Sequence, residues 1–293
     1  MVVSGAILLS AKGVLSKLLY SEGLGFQEVI TLRSLFALPL FWLWGLYSAG
    51  PGKLFVTDRK GIYAALFAGV SCYYVGGTLD FYALTLIDAG LERVLLYTYP
   101  TMIVIVLAVM RRRIPSLPIL VALIMTYIGI TLAVGVFEKA LWQANSYGAL
   151  LVLICALTYA AYFFANDRLG KRLGSEVFTV YAMTAATIAL LLHFSLTHSF
   201  DEIHISPRAW LLFAIMVVFV TVVPLFLLAE GVKRIGAQRA GILSTVGPAS
   251  TIILASILLH EQMRWFQYFG VLVTLLGIMI VEWKQKQAIA LAD

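Results

Sequence analysis

Lys12 stands in the apolar run Leu8-Leu9-Ser10-Ala11-Lys12-Gly13, where an ammonium group can do few things. A charge near the centre of a membrane-crossing helix costs about 2.5–3.5 kcal/mol on insertion scales, so it must face a cavity or a partner. Two readings stay open. Lys12 holds a substrate carboxylate or phosphate, or pairs with an acid that substrate or a proton releases; alternatively it is one end of a fixed structural ion pair. Asp80 and Glu92, both acids near the outer vestibule, are the candidates for proton coupling. Glu92 also has a blander reading, a carboxylate in a helix's first turn where the dipole favours it. Lys17 is closer to the helix end and reads as a snorkelling residue, and Arg33 as a tie between helices through carbonyls or an acid.

Aromatic residues form a second constellation: Tyr73, Tyr74, Tyr97, Tyr99, Tyr159, Tyr162 and Phe163, all at middle depth. A phenol facing lipid would lack a hydrogen-bond partner, so these side chains should point inward. Tyr74, Tyr97, Tyr99, Tyr159 and Tyr162, with Lys12, Ser244 and Thr245, are the candidate substrate-binding residues; such a lining suits an apolar or cationic body. Helix packing with hydroxyl-to-carbonyl bonds is the alternative. Pro100 and Pro248 each remove a backbone hydrogen bond in mid-segment and are candidate hinges. Trp42, Trp44, Trp142, Trp210, Trp265 and Trp283 read as interfacial belt residues.

The elements that must position these residues follow from composition. Of 293 residues 61% are hydrophobic and 12% charged, too apolar for a soluble core to absorb. The apolar residues come in runs of about 20, the length that crosses a hydrocarbon layer. Ten spans are predicted, at 2–20, 27–48, 60–84, 88–110, 117–136, 146–166, 176–196, 208–230, 237–259 and 264–283. The fold class is all-α, a polytopic membrane protein. The first span has no basic leader, so no cleaved signal peptide is expected.

Charge is strongly sided. Loops on the N-terminal side, with the tail, carry Lys53, Arg59, Lys60, Arg111, Arg112, Arg113, Arg168, Lys171, Arg172, Lys233, Arg234, Lys284 and Lys286; the opposite loops carry Lys139, Arg208 and Arg264. The positive-inside rule then places both termini in the cytoplasm, and the net charge of +6 belongs to membrane topology, with no nucleic-acid partner implied. Glu230, near Lys233 and Arg234, reads as part of a solvated cluster at the cytoplasmic surface.

Two stretches superpose at an offset of 148 without a gap, from Ala89 on Ala237 to Ile130 on Ile278. Leu95 meets Leu243, Pro100 meets Pro248, Thr126 meets Thr274 and Gly129 meets Gly277. Five spans per copy is an odd number, so the second copy starts on the opposite face. The expected organisation is two inverted five-helix repeats, residues 1–140 and 141–293.

Ala89-Gly90-Leu91-Glu92-Arg93, Tyr97-Thr98-Tyr99-Pro100-Thr101 and Tyr127-Ile128-Gly129-Ile130 resemble the EamA-type family of drug/metabolite transporters. Gly247-Pro248, Leu259-His260-Glu261, Phe269-Gly270 and Gly277-Ile278 are similar to the same family's second-half pattern. The resemblance implies ten helices, two repeats and a central cavity for small organic solutes, often exported. Arg112 and Arg113 depart from it, standing where many relatives carry an acid, and Met1 lies directly inside the first span, which leaves the native start open.

The expected function is a secondary transporter of a small organic metabolite, amino acid or drug-like solute in the bacterial inner membrane, working by alternating access, exporting and with a possible proton coupling. No Walker A sequence is present, no cofactor is implied, and Cys72, Cys155 and the outer loop His198–His204 match no metal site. A membrane enzyme acting on lipid would need groups clustered at one depth, whereas the acids are dispersed over different helices; a receptor without flux is the other alternative. Membrane lipid is an expected partner, and monomer or homodimer is left open.

Overall fold

The computed structural model describes residues 1–55, 58–112, 114–224, 227, 243–244 and 246–290. Among the described residues there are helices and turns and no strand, as lipid requires of a chain that must satisfy its backbone groups within each segment. In chain order the helices are α1 (Val2–Ser10), α2 (Lys12–Ser21), α3 (Phe26–Ala49), α4 (Pro51–Leu54), α5 (Arg59–Gly69), α6 (Gly77–Ala83), α7 (Ala89–Leu96), α8 (Tyr99–Arg111), α9 (Leu117–Val134), α10 (Lys139–Leu173), α11 (Ser175–Thr197), α12 (Pro207–Ile215), α13 (Val246–Leu258) and α14 (Trp265–Ala290). Seven helical stretches are long and apolar enough to cross a membrane: Val2–Ser21, Phe26–Ala49, Arg59–Ala83, Ala89–Val106, Leu117–Val134, Lys139–Tyr162 and Glu176–Thr197. Three shorter apolar stretches follow, Pro207–Val222, Val246–Leu258 and Trp265–Val281. Glu230, Lys233, Arg234 and Thr245 lie outside the described residues.

Several of these stretches are interrupted in mid-course, each for a local reason. Between α1 and α2 the chain tightens at Ala11, whose N–H donates to Leu8 O at 3.2 Å. The Ser10 carbonyl there accepts from Thr251 Oγ1 of α13 at 2.9 Å, a partner 241 positions away. Between α7 and α8, Thr98 N–H donates to Leu95 O, three residues back, because Pro100 opens the next helix and has no N–H to continue the ladder. Its counterpart Pro248 lies within α13, with Leu243 and Ser244 before it also helical. Two π-helical turns, Val70–Gly76 and Met216–Val222, begin within two positions of the 148-residue offset. In the second, Thr221 Oγ1 donates to Met216 O five residues back, at 2.9 Å. Such turns insert one residue into a helix and recur at functional sites.

The crossing of α9 and α14 is self-complementary. A Cβ on Gly129 would meet Thr274 N at 2.5 Å and Thr274 Oγ1 at 2.4 Å; a Cβ on Gly277 would meet Thr126 N at 2.9 Å and Thr126 Oγ1 at 2.3 Å. Each contact becomes the other when every number is moved by 148. Thr274 Oγ1 completes the pattern by donating to Thr126 O at 3.4 Å. Small residues permit this approach, the ordinary device of helix association in lipid.

Outside, Trp142, Trp210, Trp265 and Trp283 are exposed, as a belt requires. Trp42 is a correction: its Nε1 donates to Thr184 Oγ1 at 3.0 Å and its ring packs with Phe55 and Tyr181, so it faces the helix bundle. Cys72 and Cys155 are buried free thiols.

The self-complementary crossing predicts that Gly129→Val and Gly277→Val lower the thermal-unfolding midpoint of the detergent-solubilised protein to a similar degree. Overpacking of this kind costs about 1–3 kcal/mol. An unchanged midpoint in either variant would contradict the close approach.

Candidate functional site

The break at Ala11 delivers Lys12 as the first residue of α2, with its ammonium aimed away from lipid. Its Nζ donates to Asp80 of α6 and, at 3.3 Å, to Glu92 Oε1 of α7. Lys12, Asp80 and Glu92 are buried, the last completely. The two acids, twelve positions apart and separated by the turn between α6 and α7, thus converge on one cation. The argument that the acids are dispersed over different helices therefore fails, and with it that ground for setting an enzyme aside. Asp80 Oδ1 and Glu92 Oε2 make no hydrogen bond among the described residues.

Antiparallel packing of α2 on α7 makes this convergence possible. Lys12 reaches Glu92, and further along α2 Lys17 reaches toward Asp88 at 3.9 Å. Gly13 lets the helices close: an added Cβ would sit 3.3 Å from Ala89 Cβ and 3.3 Å from Glu92 Oε2. Glu92 is not a capping residue, correcting the blander reading. Instead the α7 N-terminus is capped by Glu261, whose two carboxylate oxygens accept from Ala89 N at 3.1 and 3.0 Å. Glu261 also binds Lys17 at 2.7 Å, so Lys17 is held in an ion pair.

This second cluster lies on the face away from the basic loops, and two further ion pairs join early to late helices there. Glu22, at the end of α2, binds Arg208 at 3.1 Å and accepts from Ser206 Oγ at 2.7 Å. Glu138 meets Arg264 at 3.8 Å. Burial, and next the neighbouring Glu261 charge, push the Asp88 carboxyl above the usual aspartate range, against the opposing pull of Lys17.

Two guanidinium groups complete the polar centre. Arg93, almost wholly buried, lies over the Tyr97 ring at 5.0 Å, and its Nε and Nη2 donate to nothing among the described residues. Arg33 of α3 lies over the Phe81 ring at 5.1 Å, with Lys12 Nζ 5.6 Å from the same ring. Its one hydrogen bond is to Thr221 Oγ1 at 3.5 Å, in the second π turn, and its Nε is unpartnered. Arg33 does tie helices, through a hydroxyl and an aromatic face and no acid.

The tyrosines divide. Tyr97 is buried at the α7–α8 break, and its hydroxyl lies 2.7 Å from where a Cβ on Gly247 would be, which only glycine leaves free. Tyr99 packs near it, ring centroids 6.4 Å apart. Tyr73 of the first π turn packs edge-on against Tyr159 and Tyr162 of α10, at 6.1 and 4.9 Å. Tyr162 is otherwise occupied by Thr179 Oγ1 at 3.2 Å. Tyr74 turns to α11, its hydroxyl 3.2 Å from His193 Nδ1, away from the Lys12 group. Ser244 is half-buried. A hollow of about 160 Å³ lies between α8 and α10, lined by Ile103, Val106, Leu157, Ala160 and Ala161, with no tyrosine. Among the described residues no group of His, Cys, Asp and Glu is arranged to hold a metal ion.

Arg93 and Glu261 are the residues that sequence reasoning passed over. The signal for Arg93 was its place in Ala89–Leu96, whose other charge is Glu92: two adjacent charges in a helix buried on all sides cannot both reach an interface. Glu261 stood out only within the motif Leu259-His260-Glu261, and its role was hidden because its partners Lys17 and Ala89 are in the other half of the chain.

The sequence model of the EamA-like transporter family matches residues 1–135 and 146–283. The uncharacterized transporter YcbK of Bacillus subtilis (strain 168) is 34% identical over 276 residues, covering 91% of this chain and 86% of that one. The uncharacterized transporter sll1319 of a Synechocystis species is 24% identical over 210 residues, 71% of this chain and 63% of its own. A solved structure titled only as the crystal structure of a protein superposes with a TM-score of 0.66 over 100% of this chain and 98% of that one, at 16% identity, a likeness of fold alone.

The ion geometry predicts that Lys12→Met destabilises the folded protein by about 3–5 kcal/mol, the cost of leaving buried acids without their cation. Lys12→Met combined with Asp80→Asn should recover most of that loss in detergent unfolding; a combined variant no more stable than Lys12→Met would contradict the pairing. For Asp88 the raised folded value means stability lost as pH climbs through it. Asp88→Asn should therefore raise the unfolding midpoint slightly at pH 7 and leave it unchanged below the ordinary aspartate range, about pH 4; a benefit persisting there would contradict this.

Proposed function

The chain belongs to the EamA-like transporter family and is a multi-pass membrane protein, and we propose that it is a secondary transporter of a small organic solute. In this reading it carries a metabolite, amino acid or drug-like compound across the bacterial inner membrane by alternating access, outward, with protons as the coupling ion. Ten helices in two inverted five-helix repeats, residues 1–140 and 141–293, provide the two gates. The family match in two stretches, the paired π turns and the α9–α14 crossing support that organisation. Both termini lie in the cytoplasm, on the strength of the sided basic loops.

The observation that carries the reading is Lys12 with Asp80 and Glu92, buried where span one is broken and beside the break in span four. Two carboxylates on one ammonium form a switchable group: a proton arriving on either acid loosens its hold on Lys12, and the neutral pair costs less to rearrange. Broken helices let half a span move without dragging the rest. The ties of Glu22 to Arg208, Lys17 to Glu261 and Glu138 to Arg264 would then hold the outer face shut, and opening toward the outside breaks them. Pro100 and Pro248 supply the hinges.

In proteoliposomes, with solutes first identified by thermal shift across a metabolite panel, Lys12→Ala should abolish flux. So should the better balanced Lys12→Ala with Asp80→Asn, in protein that still elutes as one species. Unchanged flux in either removes Lys12 from the transport step, and binding without flux in the wild type favours a receptor. For the outer gate, Glu261→Gln should speed labelling of a cysteine placed at Ser16 by an impermeant thiol reagent added outside, severalfold; an unchanged rate would mean that the ties do not close that face.

A further inference from the structure

The polar centre leaves hydrogen-bond donors unpaired on two guanidinium groups, beside the likewise unpaired Asp80 Oδ1 and Glu92 Oε2. Lys12 is answered by two carboxylates, but neither carboxylate reaches Arg93 or Arg33 as a hydrogen-bond partner. Nε and Nη2 of Arg93 have no hydrogen-bond partner among the described residues, nor has Nε of Arg33, whose bond to Thr221 Oγ1 is long at 3.5 Å. A buried donor left unpaired is expensive, and a guanidinium keeps its charge at any pH the cell reaches. Desolvated arginines with vacant forks are therefore suited to an oxyanion, which meets two parallel N–H groups at once.

The surroundings favour the same ligand. Arg93 stands 5.0 Å from the centroid of the Tyr97 ring and Arg33 5.1 Å from that of Phe81, so each fork has an aromatic neighbour. The facing charges are Lys12, Asp80 and Glu92. With both acids ionised, the five side chains sum to one positive charge, and a proton on either acid raises that sum. Tyr97 supplies flat apolar surface beside the Arg93 fork, and Phe81 beside that of Arg33.

We propose that the solute is an organic oxyanion, a carboxylate or phosphate on a flat apolar body, bound by Arg93 and Arg33. The proposal rests on the transporter reading above for its consequence and on the unpaired forks for its chemistry. It also replaces the cationic body that the tyrosines alone would suit: three cations around those rings repel one.

Benzoate, phenyl phosphate, benzamide and benzylamine share one body and differ in the head group, so their affinities for the detergent-solubilised full chain, followed by intrinsic tryptophan fluorescence, decide the matter. Benzoate or phenyl phosphate should bind about tenfold or more tightly than benzamide, the margin expected from one charge-assisted hydrogen bond, and whichever binds tighter identifies the oxyanion. Arg93→Gln and Arg33→Gln should each erase that margin, while Arg59→Gln, at the start of α5, should leave it intact. Equal or tighter binding of benzamide or benzylamine by the wild type overturns the proposal, and needs no variant to fold. An intact margin in both arginine variants overturns the assignment to these residues. Flux of neutral or cationic solutes alone would remove the anion and leave the transporter; oxyanion binding without any flux would keep the anion site and remove the transporter.

Discussion

A lysine twelve residues into an apolar chain has to be neutralised out of reach of water, and much of the architecture meets that demand. Burying one ion without partners costs several kcal/mol, so Lys12 needs acids on neighbouring helices at its own depth. The short turn after α6 folds α7 back so that Asp80 and Glu92 reach the same point, and Gly13 removes the side chain that would hold α2 and α7 apart. Glu92 is engaged by Lys12, and Asp88, the residue before α7, makes no side-chain cap. Glu261, from the far half of the chain, fills that place and binds Lys17 as well. One buried charge therefore links the centre of the protein to the contact between its halves.

The irregular backbone gathers around the same point. Span one is broken at Ala11, beside Lys12, and span four at Tyr97–Thr98, one turn past Glu92. The first π turn ends immediately before the helix that carries Asp80, and the second holds Thr221 against Arg33. Irregular backbone at membrane depth is tolerated only where protein or a water-filled path can satisfy it. Here the satisfaction is visible: Thr251 of α13 donates to the Ser10 carbonyl, and Thr98 and Thr101 hydroxyls bond back to carbonyls at 2.7 Å around Pro100.

The sequence makes the helical, membrane-embedded class readable through apolar runs of fixed length, and the same runs locate most of the long helices to within a few residues, although α10 begins at Lys139, seven positions before the predicted 146. The 148-residue register named Gly129, Thr126, Gly277 and Thr274 as counterparts, and those four meet at one crossing. Lys12 stood out because no neighbour in its segment could balance it. The rest was hidden for a physical reason. A π turn leaves no mark in hydropathy, since it changes backbone hydrogen bonding and not residue type. Partnerships such as Lys17 with Glu261 depend on helices packed from opposite ends of the chain. Glu92 misled because a first-turn acid usually caps its own helix, and Trp42 because an indole near a helix end usually meets the interface.

The account turns on whether the Lys12 group exchanges a proton as solute crosses. Reconstituted protein loaded with the first solute that the wild type carries, and a pH-sensitive dye in the lumen, measures that directly. Wild-type counterflow should be accompanied by proton movement, and Glu92→Gln should keep the solute exchange while losing the proton signal. A wild type that exchanges solute with no proton movement, or a Glu92→Gln protein whose proton signal is undiminished, would contradict it.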